Sequence, residues 1–195
     1  MRTSLQERRY YNRWGTYEKD LSNDGWQVPY LLVKHVRSFL GHGQTVLDIG
    51  CGTGLVGVEL MKAGWYGQLV GIDIAERRLR EAIKKSIYSS CFCMNADKLG
   101  FESGVFDAVL SSAVVGLTGK NSVREMCRVV KNGGVVAFAA GELKSQAGSR
   151  KRYKIAVNYI TKLSNMEQIY SVDLGTGYCG GRTDEHYVLY IFRRR

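Results

Sequence analysis

The stretch Val46-Leu47-Asp48-Ile49-Gly50-Cys51-Gly52-Thr53-Gly54 constrains this chain more than any other. It reads as a buried strand, Thr45 to Ile49, that runs into a glycine-rich turn with one carboxylate just ahead of it. Glycine has no Cβ, so glycines at alternate positions let the backbone bend sharply and let a ligand come against it. A helix follows over Leu55 to Ala63 and is closed by Gly64.

The alternation continues downstream. A strand is expected over Gln68 to Ile74, a charged amphipathic helix over Ala75 to Ser86, and a short strand over about Ser90 to Asn95. A strand over Phe106 to Ser112 and a helix over about Ser122 to Val130 lead through Lys131-Asn132-Gly133-Gly134 into a strand over Val135 to Ala140. A helix over about Lys151 to Ser164 comes next. Two strands then follow without a helix between them, about Ile169 to Tyr178 and His186 to Phe192, so their turn near Gly177 to Asp184 makes them an antiparallel hairpin. The expected fold is α/β: a Rossmann-like, seven-stranded, mostly parallel sheet with a C-terminal antiparallel hairpin and helices on both faces. Ligands of such sheets sit outside the carboxyl ends of the strands, where the strand order switches, and the glycine turn lies there.

Upstream, residues 5 to 20 are polar and aromatic and read as a helix lying over the domain. Pro29 suits the first turn of the next helix, Tyr30 to Leu40, which places Leu32, Val36, Phe39 and Leu40 roughly on one face. Gly41-His42-Gly43 stops it. The chain has one proline, no low-complexity linker and no internal repeat. One domain over 1–195 is expected, with a lid segment at 1–30 and a core at 45–195.

Two cofactor types compete for the turn. Gly52-x-Gly54-x-x-Gly57 has the spacing of the nicotinamide fingerprint. There a pyrophosphate sits on a helix N-terminus, and a neighbouring carboxylate such as Asp48 opposes it. A cofactor carrying an ammonium and a sulfonium is the better electrostatic match. The plainer alternative is that these glycines only make a tight strand–helix turn. Asp73, at the end of the second strand, is placed to accept hydrogen bonds from two ribose hydroxyls, or else to cap the following helix. Asn95-Ala96-Asp97 offers a carboxylate and a backbone N–H to an adenine edge, with Asp97 as an ordinary loop residue the alternative. These readings point to S-adenosyl-L-methionine and to methyl transfer.

Five segments in order resemble class I S-adenosylmethionine-dependent methyltransferases. Val46 to Gly54 is similar to their motif I, Gly71-Ile72-Asp73-Ile74 to their acidic second motif, and Asn95-Ala96-Asp97 to their adenine-contact motif. Phe106 to Ser111 resembles their fourth strand. Arg124 to Gly134 resembles the segment that usually ends Lys-Pro-Gly-Gly, with Asn132 in place of the proline, a mild departure in a turn. The resemblance covers about residues 45 to 140. It implies cofactor contacts at Asp48, Gly50, Cys51, Gly52, Gly54, Asp73, Ile74, Ala96, Asp97 and Ser111. Tyr11 to Leu21 and Gly25 to Pro29 further resemble the start of the methyltransferase-like proteins of the Williams–Beuren syndrome chromosomal region, which often carry Asp where this chain has Asn12 and Glu18. In related enzymes this segment is a lid. The resemblance implies that Tyr11, Trp14 and Tyr17 wall the site and that Arg13 meets the cofactor carboxylate. Alternatively, the aromatics only hold a helix to the core.

Charge bears on the partner. The formal net charge is +10, gathered in Arg77-Arg78, Lys84-Lys85, Ser149 to Lys154 and Arg193-Arg194-Arg195. Nucleic acid is an alternative partner but not the favoured one, because no aromatic-interleaved RNA motif is present and solvated helix faces and a tail account for the charge. Ser111-Ser112-Ala113-Val114 is not the Asn/Asp-Pro-Pro-Tyr of base amino-methylation, and no Pro-Cys exists for attack at cytosine C5. Val114, Val115, Gly116 and Leu117 suggest a small apolar acceptor wall, hence a small-molecule acceptor. No general base stands out: His186 and Tyr178 lie near a chain end expected to be distant from the pocket or at its edge, and His42 precedes the first strand. Catalytic residues are therefore unassigned. A non-catalytic cofactor-binding protein and an RNA methyltransferase remain the alternatives. The five cysteines are odd in number, and Cys91-Phe92-Cys93 lacks zinc spacing, so reduced thiols, no metal, and a cytoplasmic or nuclear location are expected. No run of about 18 apolar residues exists to span a membrane, and the polar N-terminus lacks an apolar leader. The oligomeric state has no signature.

Overall fold

Seven strands form one sheet in the computed structural model, which describes residues 3–142, 148–175 and 186–195. The strands are β1 (Thr45–Ile49), β2 (Gln68–Asp73), β3 (Ser90–Cys93), β4 (Phe106–Ser112), β5 (Val130–Glu142), β6 (Met166–Gly175) and β7 (His186–Arg194). Their spatial order is β3-β2-β1-β4-β5-β7-β6. The first five are parallel, and β7 runs antiparallel between β5 and β6. The order therefore reverses at β1, whose neighbours β2 and β4 lead to opposite sides, and the crevice opens at the carboxyl ends of these strands.

Side chains alternate across β1, so Val46 and Asp48 face one layer while Leu47 and Ile49 face the other. Helices α3 (Val28–Val36) and α4 (Leu55–Lys62) cover the first layer, where Leu32, Val36, Val46, Leu60, Leu110 and Leu189 pack. Helices α6 (Val115–Thr118), α7 (Lys120–Val129) and α8 (Ser149–Ile160) belong to the second, around Leu47, Ile49, Val109, Met126, Phe138 and Phe192. Truncating any one fully buried leucine of this kind to alanine costs about 2–5 kcal/mol.

The expected single helix over residues 5 to 20 is two, α1 (Ser4–Arg13) and α2 (Tyr17–Asn23). Asp20 fixes the corner: its Oδ2 accepts the Trp14 indole N–H at 2.6 Å and the Thr16 hydroxyl at 2.6 Å. Pro29 lies in the first turn of α3, which closes in a 3-10 turn over Arg37–Phe39. Strand β5 begins at Val130 rather than Val135. The register against β4 slips between Phe106 and Ala108, and Gly134 is needed because a Cβ there would lie 2.7 Å from the Asp107 carbonyl oxygen. The segment around Val115 is a short helix that polarity patterning did not reveal. The basic C-terminus is no free tail, since Arg194 Nη1 donates to the carbonyls of Cys127, Arg128 and Val130. Tyr178, Cys179 and the hairpin turn expected near 177–184 lie outside the described residues.

Candidate cofactor site

A cavity of about 470 Å³, within the range of small-molecule sites, opens at the carboxyl ends of β1, β2 and β4. Its floor is the glycine turn. Gly50 (φ +69°) lies against Val114, where a Cβ would collide with Cγ2 at 2.2 Å. Gly52 (φ +55°) faces open space, with the Tyr17 hydroxyl the nearest atom at 3.9 Å from a would-be Cβ. The Cys51 N–H donates to the Ile72 carbonyl at 2.9 Å and ties the turn to β2.

The remaining glycines of the fingerprint serve a different purpose. The ring of Tyr88 fills the space that side chains at Gly54, Gly57 and Gly71 would occupy, with would-be Cβ contacts of 3.0, 2.9 and 2.8 Å. Its hydroxyl accepts the Gly57 N–H at 3.3 Å and donates to Asp48 Oδ2 at 2.7 Å. Asp48 thus lies wholly buried beneath the turn and does not line the cavity. Burial pushes its carboxyl up to about 7; the Tyr88 bond opposes this and the nearby Asp73 adds to it. The expectation that Asp48 points into the cavity is corrected.

Asp73 does line the cavity. Its Oδ2 accepts the Gly52 N–H at 2.9 Å and its Oδ1 the Ala75 N–H at 2.7 Å. It therefore serves the turn before helix α5 (Glu76–Lys84) while also lining the cavity. Burial raises its pKa against the pull of those N–H groups and of Arg78. Further along the wall, Asn95 Oδ1 accepts the Asp97 N–H at 2.9 Å. Among the described residues, Thr53 Oγ1, Arg78 Nε, Asp97 Oδ1 and Ser112 Oγ are buried atoms of cavity-lining residues without a hydrogen-bond partner.

The roof comes from α1 and α2. Trp14 and Tyr17 meet edge-to-face at 4.9 Å between ring centroids, and Tyr11 and Tyr17 at 6.1 Å. Arg78, 1% exposed, holds this cluster down from α5. Its Nη2 donates to the Trp14 carbonyl and, at 2.9 Å, to the Tyr11 carbonyl; its Nη1 pairs with Glu81; and its guanidinium sits 4.5 Å from the Tyr17 ring centroid. Burial, and then the Asp73 charge, push Tyr17 up to about 12; Tyr11 is raised chiefly by burial. Among the described lining residues Arg78 is the one basic side chain, against Glu7, Asp73 and Asp97, so the cavity is acidic on balance. Its lining also includes the apolar Leu21, Trp26, Pro29, Leu117 and Tyr187, with Trp26 edge-on to Tyr187 at 5.4 Å.

Of the residues singled out from sequence, Tyr11, Trp14, Gly50, Cys51, Gly52, Asp73, Ile74, Ala96 and Asp97 line one cavity. Asp48, Gly54, Ser111 and Arg13 do not. Ser111 points into the core, donating to the Ile49 carbonyl at 3.1 Å, and the alternation of β4 brings Ser112 to the cavity instead. Arg13 is exposed at the end of α1. The cation at the roof is Arg78, and a signal for it exists: Ala75, Arg78, Leu79 and Ala82 follow i, i+3, i+4, i+7 spacing, so an arginine occupies a core position of α5. Tyr187 was missed because β7 runs antiparallel and starts at the cavity end of the sheet, so this part of the chain is nearer the site than its sequence position implied. His186 beside it pairs with Asp173 at 2.9 Å. His35 bonds the Tyr170 hydroxyl, and His42 stacks on Tyr66 at 4.1 Å. No histidine lines the cavity. Among the described residues no group of three or more His, Cys, Asp or Glu could hold a metal, and no helix is long and apolar enough to cross a membrane.

Fold and site define a Rossmann-like domain that binds a nucleoside cofactor at the switch point. A family described as a methyltransferase domain matches residues 47–138. Human methyltransferase-like protein 27 is 32% identical over 141 residues, covering 68% of this chain and 57% of its own length. Demethylmenaquinone methyltransferase of Desulfitobacterium hafniense is 33% identical over 134 residues, covering 62% and 51%. This chain spans about half the length of these curated relatives. Geranyl diphosphate C-methyltransferase from Streptomyces coelicolor, solved with S-adenosyl-L-homocysteine, superposes with a TM-score of 0.75 at 14% identity over 98% of each chain. Residues 47–138 match the methyltransferase-domain family, and the chain has the fold of the class I S-adenosylmethionine-dependent methyltransferases.

Proposed function

We propose that this chain transfers the methyl group of S-adenosylmethionine directly and in line to a small-molecule acceptor. One observation carries the reading: the open turn at Gly52, the Asp73 carboxylate and the Asn95–Asp97 wall come from three strand ends and face a single acidic, aromatic-roofed cavity. Gly50, Cys51 and Gly52 would hold the amino-acid part of the cofactor, Asp73 the ribose, and Ala96 and Asp97 the adenine. When bound, S-adenosylmethionine supplies an electrophilic methyl group on a sulfonium. Trp14, Tyr11 and Tyr17 close over that space and exclude water, and the aromatic faces favour a cation.

The apolar lining residues Leu21, Trp26, Pro29, Leu117 and Tyr187 receive the acceptor. The relatives named for demethylmenaquinone and geranyl diphosphate support a small, largely apolar acceptor. The raised pKa values of Tyr11 and Tyr17 keep both as neutral hydroxyls, donors rather than bases. The acceptor supplies the nucleophile, and the protein contributes positioning. Calorimetry with S-adenosylmethionine and S-adenosylhomocysteine tests the cofactor half: no heat at millimolar ligand removes the reading. A methyl-donor turnover assay across small-molecule acceptor pools tests the rest, and binding without turnover on any pool favours a non-catalytic cofactor-binding protein.

A further inference from the structure

A row of residues crosses the sheet beneath the cofactor turn. Leu110 of β4, Asp48 of β1, Gly71 of β2 and Cys91 of β3 are register partners in parallel strands, so their side-chain positions share one face. Gly71 leaves a gap in that row. Two groups fill it: the Tyr88 ring, and Cys51 Sγ, which lies 3.0 Å from where a Gly71 Cβ would stand. The Cys51 sulfur therefore sits over β2, with Asp48 on one side and Cys91 on the other. Adjacent strands lie about 4.8 Å apart, which brings the two cysteines within reach of each other. Cys51 is 5% exposed and belongs to the cavity floor; Cys91 is half-buried on the edge strand.

We infer that Cys51 and Cys91 form an oxidation site, in which a hydroperoxide converts the two thiols to a disulfide and thereby closes the cofactor turn to its ligand. The consequence for binding rests on the proposed cofactor reading; the bond itself does not. The two sulfurs divide the work. Cys91, half-buried on the edge strand, is the sulfur a peroxide reaches first, whereas the Cys91 contact, burial and the charges of Asp48 and Asp73 hold Cys51 as a thiol. Cys91 thiolate attacks one peroxide oxygen, the O–O bond breaks, and the departing hydroxide leaves as water after taking a proton. The resulting Cys91 sulfenic acid is then displaced by Cys51 sulfur: an S–S bond forms, the S–O bond breaks, and a second water carries off the Cys51 proton. Both thiols are oxidised by two electrons in total, and the peroxide is reduced. Cys51 stands between two glycines of left-handed φ, so the turn that yields when its sulfur is drawn toward β3 is the one facing the cofactor.

The test uses the reduced full chain treated with a stoichiometric amount of hydrogen peroxide. Peptide mapping should recover a Cys51–Cys91 disulfide, and S-adenosylhomocysteine should bind about tenfold more weakly or worse, the loss of roughly one charge-assisted contact, with full recovery by dithiothreitol. Cys91→Ser should bind as the reduced protein does and ignore peroxide. Cys93→Ser should still respond, because Cys93 pairs with Asp73 rather than with the gap at Gly71. A bond mapped to Cys93, or no bond at all, overturns the inference, as does a formed disulfide that leaves affinity unchanged. If reduced protein fails to bind S-adenosylhomocysteine, the cofactor reading falls, while mapping still decides whether the pair oxidises.

Discussion

The floor and the roof of the cavity are built on different principles. The floor is local: a strand end, a glycine turn and a tyrosine packed into the space three glycines leave, all fixed by backbone bonds and close contact. The roof is remote. Helix α1 buries no residue fully, and the roof of α1 and α2 is held to α5 and its C-cap by long-range polar contacts. These are Arg78 to the carbonyls of Tyr11 and Trp14, Lys85 to Glu18 at 2.9 Å, Arg8 to Glu76, and the Arg77 N–H to Asn12 at 3.0 Å. A floor so packed changes shape only at a steric cost, whereas the roof combines one buried clamp, Arg78, with exposed or half-buried ion pairs that are individually weak. The site thus pairs a tightly packed base with a cover held by polar contacts from another helix.

The largest effect should come from filling the floor. Gly52→Val places a β-branched side chain at φ +55°, in the open space above the turn. Left-handed strain of about 1–3 kcal/mol is tolerable in a domain of this size, so the circular dichroism spectrum should stay native while S-adenosylhomocysteine binding disappears from calorimetry. Retained binding would mean the ligand does not approach Gly52. Next comes Asp73→Ala. It removes the carboxylate proposed for the ribose and also the acceptor of the Gly52 and Ala75 N–H groups. Losing hydrogen bonds to a charged group should weaken cofactor binding by about 10- to 100-fold, and an affinity within a factor of about two of the parent would sink the assignment.

The same contrast explains what the sequence made legible. The strand and helix order and the hairpin edge follow from periodicity and glycine placement, both local properties, and β1 and β4 match at both ends. The acidic residue at the end of β2 and the wall at Ala96 and Asp97 were legible because strand ends in a parallel sheet converge. Asp48 misled, because spacing along a strand says nothing about a tyrosine 40 residues downstream that encloses it. Arg13 misled because charge near an expected lid is visible in sequence, whereas the partner of Arg78 is a pair of carbonyls 67 and 64 residues upstream. Ser111 was one residue off, the smallest error a period-two strand allows and one that inverts the face. The break at Trp14-Gly15-Thr16 rests on side-chain bonds to Asp20 that periodicity does not encode.

Arg78→Met separates roof from floor. Methionine keeps a long apolar side chain in the core position but cannot donate to the Tyr11 and Trp14 carbonyls or sit as a cation over Tyr17. The roof should loosen while the sheet stays intact. Limited proteolysis should cut faster within residues 3–24, and S-adenosylhomocysteine affinity should fall by about tenfold, the scale of one or two buried hydrogen bonds. Unchanged cleavage in this segment would show that the remaining ion pairs hold α1 and α2 unaided.

The smallest expected effect lies entirely within the floor. Asp48 has a folded pKa of about 7, set first by burial, whereas an unfolded aspartate titrates near about 4. Below the unfolded value both states carry the proton and the stability is whole. As pH rises through the interval, the unfolded chain gives up its proton while the folded one retains it, so stability declines until Asp48 ionises near neutrality. Asp48→Asn removes the titration yet leaves a carbonyl to accept the Tyr88 hydroxyl. The parent should therefore lose several degrees of Tm between about pH 5 and pH 8 that the variant keeps. Arg78→Met should retain the parental slope, because Asp48 lies under the turn and the arginine above it. A slope that vanishes in the Arg78 variant, or survives in Asp48→Asn, would mean that floor and roof are one electrostatic unit.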